Sequence, residues 1–146
     1  MRYNDLSAYK EIDIRTAGQG TLILMLYDEG IKQISFAITL MDCPKIHATD
    51  IEKINNHILK AQEIITELSA SLNLEEGGEI AANLLSIYTY FNQQLLQANI
   101  QKKIQPLITV KEMMNELRGA WEQIVNTSVA APAADTKVSS GINIAG

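Results

Sequence analysis

The sequence predicts an all-α fold, an antiparallel up-and-down four-helix bundle, from three observations. Four long segments carry apolar residues at alternating spacings of three and four, close to the 3.5-residue repeat of packed helices. Chain breakers are scarce, with 8 Gly and 3 Pro in 146 residues. The apolar content is 47% but the aromatic content only 5%, so the core material is aliphatic Ile, Leu, Ala and Met. Few breakers favour long helices over many short strands. A chain of this length predicts one domain that buries about 68–70% of its unfolded surface without covalent staples. Its single cysteine excludes an internal disulfide.

The elements follow in order. From Leu22 to Met41 the apolar stripe runs through 23, 27, 30, 34, 37 and 41, with Gly30 as one member. Asp42-Cys43-Pro44 ends it, since proline disfavours helical geometry in the residue before it. Thr49 or Asp50 is the expected cap of the second helix, whose stripe is Ile51, Ile54, Ile58, Ala61, Ile65, Leu68 and Leu72. Gly77-Gly78 is expected to separate the second helix from the third. The third seam is then Ile80, Leu84, Ile87, Phe91 and Ala98, with Gln94 as its polar occupant. Pro106 fits the first turn of the fourth helix, where its missing N–H is harmless. That helix carries Leu107, Val110, Met114, Leu117, Trp121 and Ile124. Short connections force neighbouring helices antiparallel. The expected organisation is an N-terminal arm over 1–17, the bundle over 18–126 and a flexible Ala-, Ser- and Gly-rich tail over 127–146.

Charge narrows the function classes. Twelve Lys and Arg stand against 17 Asp and Glu, a formal −5 with a pI near 5.0. Nucleic-acid and anionic-membrane binders draw their affinity from concentrated Lys and Arg, so neither is expected. Residues 1–15 hold balanced charge and no apolar run, unlike a signal peptide. The longest apolar stretch, Leu22–Leu26, falls far short of the roughly 20 residues that span a bilayer. A cytoplasmic protein without membrane insertion is expected.

A catalytic inventory is absent from the pattern. His47 and His57 are ten apart, whereas helical metal pairs sit three or four apart. Cys43 lacks a basic partner in the pattern and reads as an incidental thiol. Gly77-Gly78-Glu79 opens a helix, but no phosphate-loop motif accompanies it, and Glu75, Glu76 and Glu79 would repel phosphate. The acidic excess over 47–76 lies opposite the apolar stripe and reads as a solvated face. A bundle metal carrier or enzyme would need inward Glu and a Glu-x-x-His, and the sequence has none. No enzyme activity, cofactor or metal is expected.

What stands out is apolar excess. Residues 79–101 hold one charge, Glu79, and beside the seam they add Ala81, Leu85, Tyr88, Leu95 and Leu96 on an adjoining stripe. Leu22 to Leu26 point all round the first helix. Either these helices are central in the bundle, or a second apolar groove accepts another chain's helix. A structural bundle that uses the extra stripes to form a homodimer is the alternative.

The residues also resemble a known family. Thr16-Ala17 leading to Leu22-Ile23-x-Met25-Leu26-Tyr27-Asp28 is similar to the signature of the flagellin-specific export chaperones, the FliS family. Lys60-Ala61-Gln62-x-Ile64-Ile65-x-Glu67-Leu68 resembles its second helix. Gly77-Gly78-Glu79-Ile80-Ala81-x-Asn83-Leu84, then Tyr88-x-Tyr90 and Leu95-Leu96-Gln97-Ala98-Asn99, resemble its third, and Arg118-x-Ala120-Trp121 the end of its fourth. The likeness implies a four-helix bundle that binds the disordered C-terminal segment of flagellin in the cytosol, stops premature polymerisation and presents the client to the export gate. It implies a gate contact through Leu6 and Tyr9, with Ile14 in the lead-in to the first helix. Together with the apolar excess it gives partner-binding candidates Leu6, Tyr9, Ile14, Leu22, Leu26, Tyr27, Ala81, Leu85, Tyr88 and Leu95. The chain departs from the family in having Gly18-Gln19-Gly20 where Ser-Pro, a strong N-terminal stop, is usual, which leaves the start of the first helix open and predicts a looser N-terminal arm. It also has Thr89, Gln93 and Gln94 where the family often carries charge.

Overall fold

A computed structural model describes residues 18–130 of the chain, with side chains through Asn126. The expected arm, including Leu6, Tyr9 and Ile14, lies outside the described residues, as does the chain beyond Ala130. Four helices make up the described part: α1 (Gly18–Met41), α2 (Ala48–Ala70), α3 (Leu74–Gln101) and α4 (Gln105–Ala130). Each packs on its neighbour in sequence, and α1 closes the ring on α4. Long helices that pack on one another through connections this short run antiparallel.

The ends of the helices differ in part from the sequence expectation. α2 begins earlier than a Thr49 or Asp50 cap would allow: His47, extended at φ −69° and ψ 139°, is the capping position and lends no side-chain bond. Asp50 instead sits in the first turn, where a carboxylate favours the helix dipole, and lies 3.8 Å from Lys53. The break between α2 and α3 is also not at the glycine pair. α2 stops at Ala70, and Asn73 caps α3 by accepting the Glu76 N–H at 3.0 Å. Gly78 then interrupts α3 after its first turn, at φ 55° and ψ −131°, a conformation that needs the missing Cβ. Pro106 does fall in the first turn of α4, and that helix continues to Ala130, so the expected tail loses its first residues to it.

The expected stripe of α1 is buried throughout, Gly30 included. Gly30 is a close-approach position: a Cβ there would stand 3.0 Å from Met114 Cε and 3.3 Å from Ile64 Cγ2. α2 buries Ile54, Ile58, Ala61, Ile65 and Leu68 as expected, and α4 buries Leu107, Val110, Met114 and Trp121.

α3 is turned part of the way toward its neighbouring stripe. Its core stripe is Ala81, Leu84, Tyr88, Phe91, Leu95 and Ala98 rather than 80, 84, 87, 91, 94 and 98. The two series share Leu84, Phe91 and Ala98, so periodicity alone could not separate them. Polar satisfaction does. Turning Gln94 inward would bury a carboxamide, whereas Tyr88 brings a hydroxyl that reaches Tyr27 across the bundle at 2.7 Å. Ile80 is correspondingly left on the surface.

Candidate partner-binding surface

The rotation of α3 decides which expected partner-binding residues are available. Ala81, Tyr88 and Leu95 are the seam and not an adjoining stripe, and Leu22, Leu26 and Tyr27 are core residues of α1. As placed, these six hold the bundle together and present no free surface. Leu85 alone among the described candidates keeps part of its side chain exposed.

At the bundle centre, Tyr27 of α1 and Tyr88 of α3 share a buried hydrogen bond, and Trp121 of α4 approaches both hydroxyls. Burial pushes both phenols well above their ordinary value, so they stay neutral. Next to them Arg118 Nε donates to Asp28 Oδ1 at 2.6 Å and Nη1 to Glu122 Oε2 at 3.0 Å, tying α4 to α1. Tyr27-Asp28, Tyr88 and Arg118-x-x-Trp121, read in sequence as separate matches to a family pattern, thus meet in one cross-bundle cluster.

A second polar cluster seals α1 against α2. Gln33 is 2% exposed, its amide N–H donates to Glu29 Oε2 at 2.8 Å, and its amide oxygen faces His57 Nδ1 at 2.8 Å. The acceptor fixes the tautomer: Nδ1 carries the proton. Burial, with the Lys60 charge adding to it, holds His57 below the usual imidazole value. His57 therefore lies at the α1–α2 seam rather than as a solvated histidine. Among the described residues no group of His, Cys, Asp and Glu could hold a metal ion, and no helix is long and apolar enough to cross a membrane.

The open surface lies between α2 and α3. Two adjoining shallow depressions, one of about 520 Å³ along α2 and one of about 420 Å³ between α2 and α3, share Gln62 and Thr66. Leu59, Glu63 and Glu67 of α2 complete the first, and Ser69 of α2 with Thr89, Asn92, Gln93 and Leu96 of α3 the second. Leu59 and Leu96 are 45% and 50% exposed, and Ile51 and Ile100 toward the α1–α2 loop end of the bundle are 40% and 71% exposed. Polar bridges span the floor: Asn99 Nδ2 donates to Asn55 Oδ1 at 2.7 Å, Gln62 Nε2 to the Asn92 carbonyl at 3.3 Å, and Asn92 Nδ2 to Thr66 Oγ1 at 3.4 Å.

Of this surface the sequence pattern singles out Leu96 on α3 and nothing on the α2 side. A signal was present. Asn55, Gln62, Thr66 and Ser69 recur at spacings of seven, four and three, and Thr89, Asn92, Leu96 and Asn99 at three, four and three. These are uncharged stripes beside the apolar seams, where a solvated bundle face normally carries Lys and Glu.

The described part is thus a helical bundle whose polar clusters are closed inside and whose α2–α3 face keeps a shallow polar groove. The family is then specific. The chain belongs to the family described as "Flagellar protein FliS", whose model matches residues 2–128. It is 34% identical over 124 residues to the flagellar secretion chaperone FliS of Bacillus subtilis, covering 85% of this chain and 88% of that one. It is 31% identical over 124 residues to the protein of the same name from Salmonella typhimurium, covering 82% and 88%. A third, from Vibrio cholerae, is 42% identical over 65 residues, 44% of this chain and 48% of that one.

Proposed function

We propose that the protein is a cytosolic export chaperone that binds the C-terminal segment of flagellin, keeps it from polymerising and delivers it to the flagellar type III export gate. The observation that carries the client-binding part is the α2–α3 groove, where Leu59 and Leu96 stand half-exposed beside a polar floor whose only charges are Glu63 and Glu67 on α2. A groove of that composition suits an amphipathic segment whose apolar face must be covered until assembly. Apolar burial supplies about 25 cal/mol per Å², from which the cost of ordering the client is subtracted. The role is binding and release without chemistry, and family membership supports the export-chaperone reading.

Leu6 and Tyr9 are the proposed gate contacts, with Ile14 leading into α1. Tyr9→Ala is expected to leave flagellin binding intact and reduce export in a swimming cell. The central test is a titration of a flagellin C-terminal peptide followed by calorimetry and helicity. Binding with a gain of helix supports the proposal. No heat and no helix at tens of micromolar, together with a dimer that covers the groove, would overturn it in favour of a homodimeric structural bundle.

A further inference from the structure

One atom in the groove is chemically incomplete. Asn92 Oδ1 is buried and has no hydrogen-bond partner among the described residues. Its orientation follows from its neighbours. Thr66 spends its hydroxyl proton on the Gln62 carbonyl at 2.9 Å, so Thr66 Oγ1 can only accept, and the amide nitrogen of Asn92 is the end that must face it at 3.4 Å. Oδ1 therefore points elsewhere and is left bare. A buried acceptor without a donor is rare in folded proteins and calls for an explanation.

We infer that Asn92 is a specificity-determining acceptor of the groove, and that its Oδ1 takes a hydrogen bond from a hydroxyl or carboxamide on a non-acidic, amphipathic client helix laid between α2 and α3. The inference rests on the groove being the client site. The occupant's chemistry comes from the lining. Gln62, Thr66, Ser69, Thr89 and Gln93 surround Asn92 without a charge, and Glu63 and Glu67 on the α2 side disfavour an acidic segment. A helical occupant has satisfied its own backbone, so the donor must be a side chain. Gln62 and Gln93 are long and rotate on a fast timescale, which gives the donor a way in without backbone motion. An empty groove carries the unpaired acceptor, and an occupied one completes it. The client's correct register is thereby favoured over registers that place an aliphatic residue on Asn92.

Three variants of the full chain, titrated with the flagellin C-terminal peptide and melted without it, test this. Asn92→Ala is expected to weaken binding about tenfold while leaving the melting temperature equal or higher, because the free state loses an unsatisfied group. Thr66→Val removes the partner of the Asn92 nitrogen but not the acceptor, and is expected to lose clearly less affinity than Asn92→Ala. Leu96→Glu is expected to abolish binding. If Asn92→Ala and Thr66→Val lose affinity equally, together with melting temperature, Asn92 is only a bridge between α2 and α3 and the inference is overturned. If Leu96→Glu abolishes binding and Asn92→Ala binds like the parent, the groove stands and the role of Asn92 falls. If Leu96→Glu binds normally, the groove itself is not the client site and the inference falls with it.

Discussion

The two sides of α2 are built differently. Toward α1 the interface is closed: Gln33 is fully buried, both ends of its amide are bonded, and Gly30 brings α1 within contact of Ile64. Toward α3 two of the three bridges are long, at 3.3 and 3.4 Å beside one of 2.7 Å, one acceptor is unpaired, and leucines stand half-exposed above them. A packed core tolerates polar groups only when each is satisfied. Incomplete satisfaction and exposed apolar area on the same face support the proposed client groove. The contrast shows that the groove is distinguished less by its hydrophobicity than by its unfinished polar accounting.

Substitutions break or sharpen this contrast, beginning with the interior both sides share. Phe91→Ala removes a fully buried ring from the α3 seam and is expected to cost about 3–5 kcal/mol, read as a lowered urea midpoint. Gln33→Ala opens the closed side, leaving Glu29 and His57 without their shared partner. It is expected to cost about 1–3 kcal/mol in the same assay, with no change in peptide affinity. Leu96→Glu acts on the open side, changing stability by no more than about 0.5 kcal/mol because its side chain already faces water. A midpoint drop matching that of Phe91→Ala would show that the α3 face is core and not groove.

The smallest expected effect is on pH dependence. His57 sits on the closed side with its proton affinity lowered in the folded state, so the unfolded chain binds a proton more readily. Its contribution is present above the ordinary imidazole value near 6.5 and is lost as pH falls from there through the lower folded value. His57→Gln should flatten the stability profile in that window and leave it unchanged above pH 7. A profile of unaltered slope would remove His57 from the account of the α1–α2 seam.

Much of the fold was legible because helix period and chain breakers are local. Ile54 to Leu68, Leu107 to Trp121 and the whole α1 stripe fell where spacing put them, and Pro106 marked the first turn of α4. The candidate surface was less legible. On α3, apolar residues occupy both 80, 87 and 81, 88, and a partial turn of the helix exchanges Ile80 and Ile87 for Ala81 and Tyr88 while keeping Leu84, Phe91 and Ala98 inside. No local rule chooses between them. The choice was made by Tyr27, 61 residues away, which offers the Tyr88 hydroxyl a partner.

By itself the sequence determined the four helices, their antiparallel order, the absence of a catalytic pattern and a resemblance carried by Tyr27-Asp28, Tyr88 and Arg118-x-x-Trp121. These depend on periodicity, turn chemistry and residue type, which are properties of short stretches of chain. Only the tertiary structure decided that those matched residues form one cross-bundle cluster, that Ala81, Tyr88 and Leu95 are core, and that the open face belongs to α2 and α3 together. Burial and hydrogen-bond completion are properties of pairs of helices, so which side of each helix is finished and which is left open exists only once the bundle has closed.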